Sequence, residues 1–234
     1  MWNYINKMKV LKHFFLLPFV ISFFLNTSLF SFEQNRKQVI ANVQKIEYLS
    51  QKIAKDYLYL LQNPKLEALN GELKSSITQI ENSFRFIAKN SKNSDAKDIL
   101  NFLSYSKDQI KDTLEKKMSR ENALTILDST QSLYEGSRSI LSTYNYNLWS
   151  DIDVKIAMMK ILKLYMAIHL DINSDINREL MQNEMDQIEK RLEISSMSLN
   201  RTWQALKEYL KADKDYFVPN IIYILTKQIE KAKR

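Results

Sequence analysis

Residues 43–60 read Val43-Gln-Lys-Ile46-Glu-Tyr-Leu49-Ser-Gln-Lys-Ile53-Ala-Lys-Asp-Tyr57-Leu-Tyr-Leu60. Val43, Ile46, Leu49, Ile53, Tyr57 and Leu60 recur at spacings of three and four, which places them on one face of an α-helix running over about 36–62. Asn63-Pro64 ends it, because proline disfavours a helical residue before it and suits a first helical turn after it. The same period continues outward. Leu73, Ile77, Ile80, Phe84 and Ile87 mark a second helix, and Ile99, Leu103, Ile110 and Leu114 a third. The polar stretch Asn90–Asp95 between them reads as a loop with a cap. Ser119 caps a fourth, carrying Leu124, Leu127, Tyr134, Ile140 and Leu141.

After an interruption at 145–150, Ile156, Met159, Leu162 (or its neighbour Ile161), Tyr165 and Ile168 form another helical face. Ile176, Leu180, Met185, Ile188 and Leu192 form the next, with the pattern extending through Leu199 to Leu206. Asp213-Lys-Asp215 breaks the run and Pro219 opens a last helix with Ile222, Leu225 and Ile229. The composition agrees. Two glycines and three prolines in 234 residues are too few for the tight turns of a sheet protein, and 45% apolar residues can bury a sizeable core. The expected fold is all-α.

The N-terminus is set apart. Lys7, Lys9 and Lys12 precede a nearly unbroken apolar run, Phe14–Leu25. Its twelve residues suit the apolar region of a signal peptide, whereas a membrane-spanning helix needs roughly 20. Residues 1–31 are therefore expected to be a signal peptide, with Ser31 a candidate cleavage position and Met8 an alternative start. An uncleaved inner-membrane anchor is the alternative. Either way the body faces the periplasm. Cysteine is absent, which excludes disulfides and thiolate metal sites.

Three of the seven net positive charges lie in that leader, and the rest alternate in sign with acidic residues along the helices. No arginine-rich stripe of the kind that grips phosphates is present, so no nucleic-acid partner is expected.

The two halves of the body align with a shift of 108 residues. Lys52-Ile53-x-Lys55-x-Tyr57 then lies on Lys160-Ile161-x-Lys163-x-Tyr165, and Gln79-Ile80-Glu81 on Gln187-Ile188-Glu189. This register suggests tandem antiparallel four-helix-bundle-like units, one over 36–145 and one over 150–233.

The residues that carry the repeat also carry a family likeness. Tyr48-Leu-Ser-Gln-Lys-Ile-Ala-Lys-Asp-Tyr-Leu58 resembles the first-helix signature of the type IV pilus methyl-accepting chemotaxis transducer N-terminal domain, the PilJ type, itself similar to NarX-like nitrate-sensor domains. Ile156–Met166 resembles a second copy, and Trp203 with Leu206 resembles the tryptophan-bearing third helix of that family. The resemblance implies an extracytoplasmic four-helix sensor module, often a homodimer, in which a first-helix arginine binds a small anion. At the matching position this chain has Glu47 in the first unit and Lys155 in the second, and the later arginine of the motif is matched by Lys52 and Lys160. A carboxylate at Glu47 repels an anion at short range. Lysine lacks the planar fork that suits a small oxyanion.

Lys52, Lys55, Lys155, Lys160 and Lys163 are accordingly the candidate ligand-binding residues, with solvated helix surface as the competing reading. Tyr57 and Tyr165 lie on the apolar stripe and are expected to pack in the core with a bonded hydroxyl. Tyr144, Tyr146 and Trp149 are expected to pack one unit on the other or to cover a pocket between them.

His169 stands alone outside the leader, so neither a histidine-based metal site nor a serine–histidine nucleophile can be assembled, and there is no glycine-rich phosphate loop. No enzyme activity, cofactor or metal is expected. The sequence points to an exported sensor or binding module without its own output domain. It would take a small solute or anion, a membrane receptor, or both. The alternative is a structural bundle that binds an envelope protein and no small molecule.

Overall fold

The computed structural model describes residues 33–146, 150–190, 192, 195–212 and 219–232. The expected leader, Trp149 and the Asp213–Asp215 break lie outside the described residues. The described residues are helical with no strand, as the composition demands, and no helix among them is long and apolar enough to cross a membrane. Residues 33–39 are helical and belong to a first compact unit, in which Arg36 and Lys37 lie 3.7 and 4.0 Å from the Glu33 carboxylate.

The second unit, Ile40–Arg234, holds eight helices among its described residues. They are α1 (residues 40–62), α2 (Glu67–Asn90), α3 (Ser94–Leu114) and α4 (Arg120–Thr143). After them come α5 (Asp151–His169), α6 (Ser174–Glu189), α7 (Met197–Ala212) and α8 (Pro219–Lys231).

Local chemistry sets most of the boundaries. α1 stops at Asn63, whose backbone N–H closes on the Tyr59 carbonyl at 2.9 Å ahead of Pro64. The Asn93 side chain accepts from the Ala96 N–H at 3.0 Å and Ser119 from the Asn122 N–H at 3.1 Å, so each caps the helix it precedes. Ser150 caps α5 with Asp153 reaching back, since Asp153 Oδ2 accepts from the Ser150 N–H at 2.9 Å and from its hydroxyl at 2.6 Å. Between α5 and α6 the chain reverses through Asp171 and Asn173 at φ of 53° and 45°, a region that Asp and Asn tolerate better than other non-glycine residues.

One expected helix is two. The pattern from Ile176 to Leu206 is interrupted after Glu189, and α7 begins only at Met197. Ser195 Oγ donates to the Leu192 carbonyl at 2.9 Å, and the Ser196 N–H donates to Asp151 Oδ1 at 3.1 Å. A short hydroxyl side chain that bonds locally, as Ser195 does, competes with the helical ladder, and the Asp151 carboxylate at the start of α5 takes the next backbone N–H.

Packing places α1 and α5 at the centre. Every residue of 49–60 is buried, and so are thirteen of the nineteen residues of α5. α3 packs on α2 and α4, while α5 packs on α6, α7 and α8. Polar contacts tie α1 to α2 through Lys52–Glu72, to α4 through Glu47–Arg138 and to α8 through Lys55–Thr226. Helices from both halves of the sequence thus share one compact body. α3 and α4 approach closely at Gly136, where a Cβ would lie 2.5 Å from Leu103 Cδ2. Tyr57 and Tyr165 are core residues, as expected. The Tyr57 hydroxyl accepts from the Ser119 N–H at 3.4 Å, and the Tyr165 hydroxyl meets that of Tyr209 at 3.2 Å.

Three apolar residues are not where their period put them. Leu124 (44% exposed), Ile176 (62%) and Leu180 (42%) face outward. The buried stripe of α4 runs instead through Ala123, Ile126, Thr130 and Leu133, and α6 buries only Met185 and Ile188, in its last two turns. A three-to-four period fits more than one face of a short helix, and packing partners choose between them.

Candidate functional site

Burying α1 on all sides carries Glu47, Ser50, Gln51, Lys52, Lys55 and Asp56 into the interior. Buried charges must be paired and hydrogen-bonded, and these are organised into two groups.

The first lies between α1, α2 and α8. Lys52 Nζ donates to Asp56 Oδ2 at 2.6 Å and to Glu72 Oε2 at 2.8 Å, and lies 3.4 Å from Glu230 Oε1. Lys55 pairs with the other oxygen of Asp56 and donates to Thr226 Oγ1 at 3.0 Å. Lys227 closes the group by donating to both Glu72 oxygens, at 2.8 and 2.9 Å, and to Glu230 at 3.0 Å. Burial pulls the Lys52 ammonium toward neutrality, but Asp56 and Glu72 outweigh it and raise its pKa above the ordinary lysine range. At Lys55 burial prevails over Asp56 and the pKa falls. Three ammonium groups face three carboxylates here, so the cluster is balanced in charge.

The remaining candidate lysines are spread along α5. Lys155 donates to the Ala232 carbonyl at 2.5 Å and borders a cavity of about 190 Å³ with Asp151 and Ile152. Lys160 pairs with Glu184 of α6 and lies 5.3 Å from the centre of the Tyr134 ring. Lys163 is buried and donates to Gln131 Oε1 of α4 at 3.2 Å. Burial, with Lys160 adding repulsion, pushes the Lys163 ammonium down to about 7. The five lysines therefore do not converge on one ligand. Lys52, Lys55 and Lys163 are buried rather than solvated. Lys52 and Lys160, aligned by the repeat, each pair with a glutamate on the helix that follows.

The second polar group surrounds a cavity of about 190 Å³ where α4, α5 and α6 meet. α4 contributes Tyr134 and Arg138, one turn apart, and α6 contributes Glu184 and Gln187. Asp153 comes from the first turn of α5, followed on the same wall by the apolar Ile156 and Ala157. Arg138 reaches across α1 and α5, with Nε 3.6 Å from Glu47 Oε1 and Nη1 3.8 Å from Asp153 Oδ1. Asp153 is also held by Ser150 and by the Tyr146 hydroxyl at 3.4 Å, which itself accepts from Gln44 Nε2 at 2.9 Å. Tyr146 thus links residues from the two halves of the sequence, whereas the Tyr144 hydroxyl meets that of Ser91 and Trp149 lies outside the described residues.

Glu47 is the unusual member. It is fully buried, neither carboxylate oxygen has a hydrogen-bond partner, and its pKa is pushed up to about 8. Burial is the main cause; Arg138 opposes it and Asp153 adds to it. Tyr134 is pushed up to about 12, by burial first and Glu184 second. A larger groove of about 600 Å³ runs between α7 and α8 past Arg201, Thr202, Gln228 and Lys231, but it is shallow.

The sequence marks Glu47 only as a departure from a motif and Tyr134 only as a member of an apolar face. Arg138 and Asp153 it does not mark as site residues. The Ser150-x-x-Asp153 capping pattern was the one available local signal, and it announces a helix start rather than a pocket. No family model, no curated protein and no solved structure matches this chain.

Proposed function

We propose that this chain is an exported, non-enzymatic sensor or binding module that takes a small solute in the α4–α5–α6 cavity and passes the event to a membrane receptor. One observation carries the reading: a small polar cavity bordered by Arg138 and backed by a fully buried carboxyl, Glu47, whose oxygens make no hydrogen bond to the described residues. Buried polar groups are nearly always satisfied, so one that is not, directly behind the Arg138 wall of the cavity, singles this place out. Pockets between helices of a bundle are common ligand sites. The likeness of Tyr48–Leu58 to PilJ-type sensor helices and the signal-peptide reading of residues 1–31 point the same way. Because Arg138 contacts side chains on α1 and α5, a ligand that engages it would bias how α4 packs on both, which is how a bundle converts occupancy into a signal.

A thermal-shift screen of the purified chain against small polar solutes tests the reading. A true ligand at a hundred times its Kd adds about 2.7 kcal/mol of stability, and Arg138→Ala should abolish the shift. A melting curve indifferent to every solute would remove the proposal.

A second reading is favoured by Phe102 and Tyr105, 77% and 72% exposed and one turn apart on α3. Large exposed aromatics side by side fit a surface that meets an envelope protein. Crosslinking in envelope extracts should then capture one dominant protein that Phe102→Ser with Tyr105→Ser releases.

A further inference from the structure

We infer that the α4–α5–α6 cavity is built for a small zwitterion, a molecule carrying one carboxylate and one ammonium group, of the class of the small aliphatic amino acids. This rests on the cavity being the binding site and goes on to name what binds.

The first support is the state of Arg138. Its two carboxylate contacts, at 3.6 and 3.8 Å, are charge–charge approaches longer than a hydrogen bond, and the side chain is about half exposed, at 49%. Neither neighbour competes well for the guanidinium. Asp153 approaches it through Oδ1 at 3.8 Å while its Oδ2 is held by the Ser150 N–H and hydroxyl at the helix start, so the two cannot close into a bidentate pair. Glu47 is held largely protonated by its burial, so it does not neutralise the arginine. The planar fork of an arginine matches a carboxylate in two parallel bonds, and here Arg138 lines the cavity with ion-pair approaches, and no hydrogen bond, to the described residues.

The second support comes from α6. Glu184 lines the same cavity, and Lys160 engages only its Oε1. The second oxygen remains for an ammonium group, with the Tyr134 phenol also in the cavity wall. Arg138 and Glu184 thus offer one positive and one negative anchor on different helices.

Selectivity follows from the same arrangement. A simple anion drawn to Arg138 would also face the carboxylates of Asp153 and Glu184. A simple cation drawn to Glu184 would face Arg138 and Lys160. Only a ligand with both charges satisfies both walls at once, and the cost of leaving either wall unmatched is what rejects the others. Ile156 and Ala157 supply an apolar patch between the charged walls. A cavity of about 190 Å³ is below the roughly 300–1,000 Å³ of sites for drug-sized ligands, so the side chain it accepts is short.

Isothermal titration of the purified full chain at pH 7 decides the matter with no mutation required. The probes are alanine and valine as zwitterions, propionate and isobutyrate as matched anions, and isopropylamine as the matched cation. The expected result is that at least one zwitterion binds and every singly charged analogue binds at least tenfold more weakly. Arg138→Ala and Glu184→Gln should each weaken the zwitterion tenfold or more while circular dichroism keeps the native helical signal. Equal or tighter binding of propionate or isopropylamine would overturn the zwitterion assignment while leaving a solute-binding module in place. Binding of the zwitterion unaffected by both variants, each shown to be folded, would move the site elsewhere and overturn the inference. Failure of these five probes together with a positive hit elsewhere in the solute screen would refute this ligand class alone. Failure of both would refute the binding function as well.

Discussion

Glu47 Oε1 lies 3.6 Å from Arg138 Nε, and the carboxyl nevertheless holds its proton to about pH 8. Proximity to a cation normally favours a carboxylate. Here the carboxyl is fully buried while the guanidinium is half in water, so desolvation of the one outweighs attraction to the other. The consequence is a stability that depends on pH in the reverse of the usual carboxylate sense.

Between pH 4.5, the ordinary value, and about 8, the folded chain holds a proton at Glu47 that the unfolded chain has lost. Stability from this group is therefore full below pH 4.5 and declines as pH rises through 8. Glu47→Gln keeps the shape and removes the titration. At roughly 1.4 kcal/mol per pKa unit, the variant should gain a few kcal/mol relative to wild type between pH 5 and pH 8.5. Urea denaturation at the two pH values measures the difference, and a parallel pair of pH profiles would contradict the assignment.

Lys163 acts with the opposite slope. Its folded pKa of about 7 lies below the ordinary 10.5, so between those values the unfolded chain binds the extra proton and stability rises with pH. Below pH 7 the buried ammonium costs on the order of a few kcal/mol, again at about 1.4 kcal/mol per unit. Lys163→Met should therefore stabilise the protein at pH 6, despite losing the bond to Gln131, with the gain shrinking by pH 10. A variant less stable than wild type at pH 6 would show that the hydrogen bond dominates.

Asp56 and Lys55 should respond unequally to removal. Asp56 pairs with both Lys52 and Lys55, so Asp56→Ala leaves Lys55, 1% exposed, with only the Thr226 hydroxyl. Breaking a buried pair in this way costs about 3–5 kcal/mol. Lys55→Met leaves Asp56 with Lys52 and adds no orphan charge, so it should cost much less. Chemical denaturation of both variants at pH 7 gives the comparison, and equal losses would mean that the two lysines are not alternatives for Asp56.

Gly136 sets propensity against packing. Alanine in a helix is favoured over glycine by about 1 kcal/mol. The added Cβ would meet the buried Leu103 side chain at 2.5–2.8 Å, and overpacking costs about 1–3 kcal/mol. Gly136→Ala should therefore destabilise, on the order of 1 kcal/mol. Adding Leu103→Val, which gives the Cβ room, should recover part of the loss in a double-mutant cycle. A stabilised single variant would mean that Leu103 moves aside without strain.

The sequence by itself determined what depends on neighbours along the chain. Asn63-Pro64, Asn93, Ser119 and Ser150 mark helix ends because a side chain a few residues away satisfies or denies a backbone bond there. The apolar periods placed Ile46, Ile53, Leu103, Ile110, Met159 and Leu206 in the core for the same local reason. Tertiary structure decided the rest. No spacing rule foretells that α1, amphipathic in sequence, is enclosed on every side, so that Lys52 and Lys55 pair within the protein instead of meeting water. Nor could spacing choose which face of α6 packs, and Ile176 and Leu180 ended outside. The candidate site is the clearest case. Glu47, Arg138, Asp153 and Glu184 come from four different helices, and the raised pKa of Glu47 arises only from its burial and from its neighbours Arg138 and Asp153. Helix formation is decided over a few residues, whereas a binding site is decided by which helices meet.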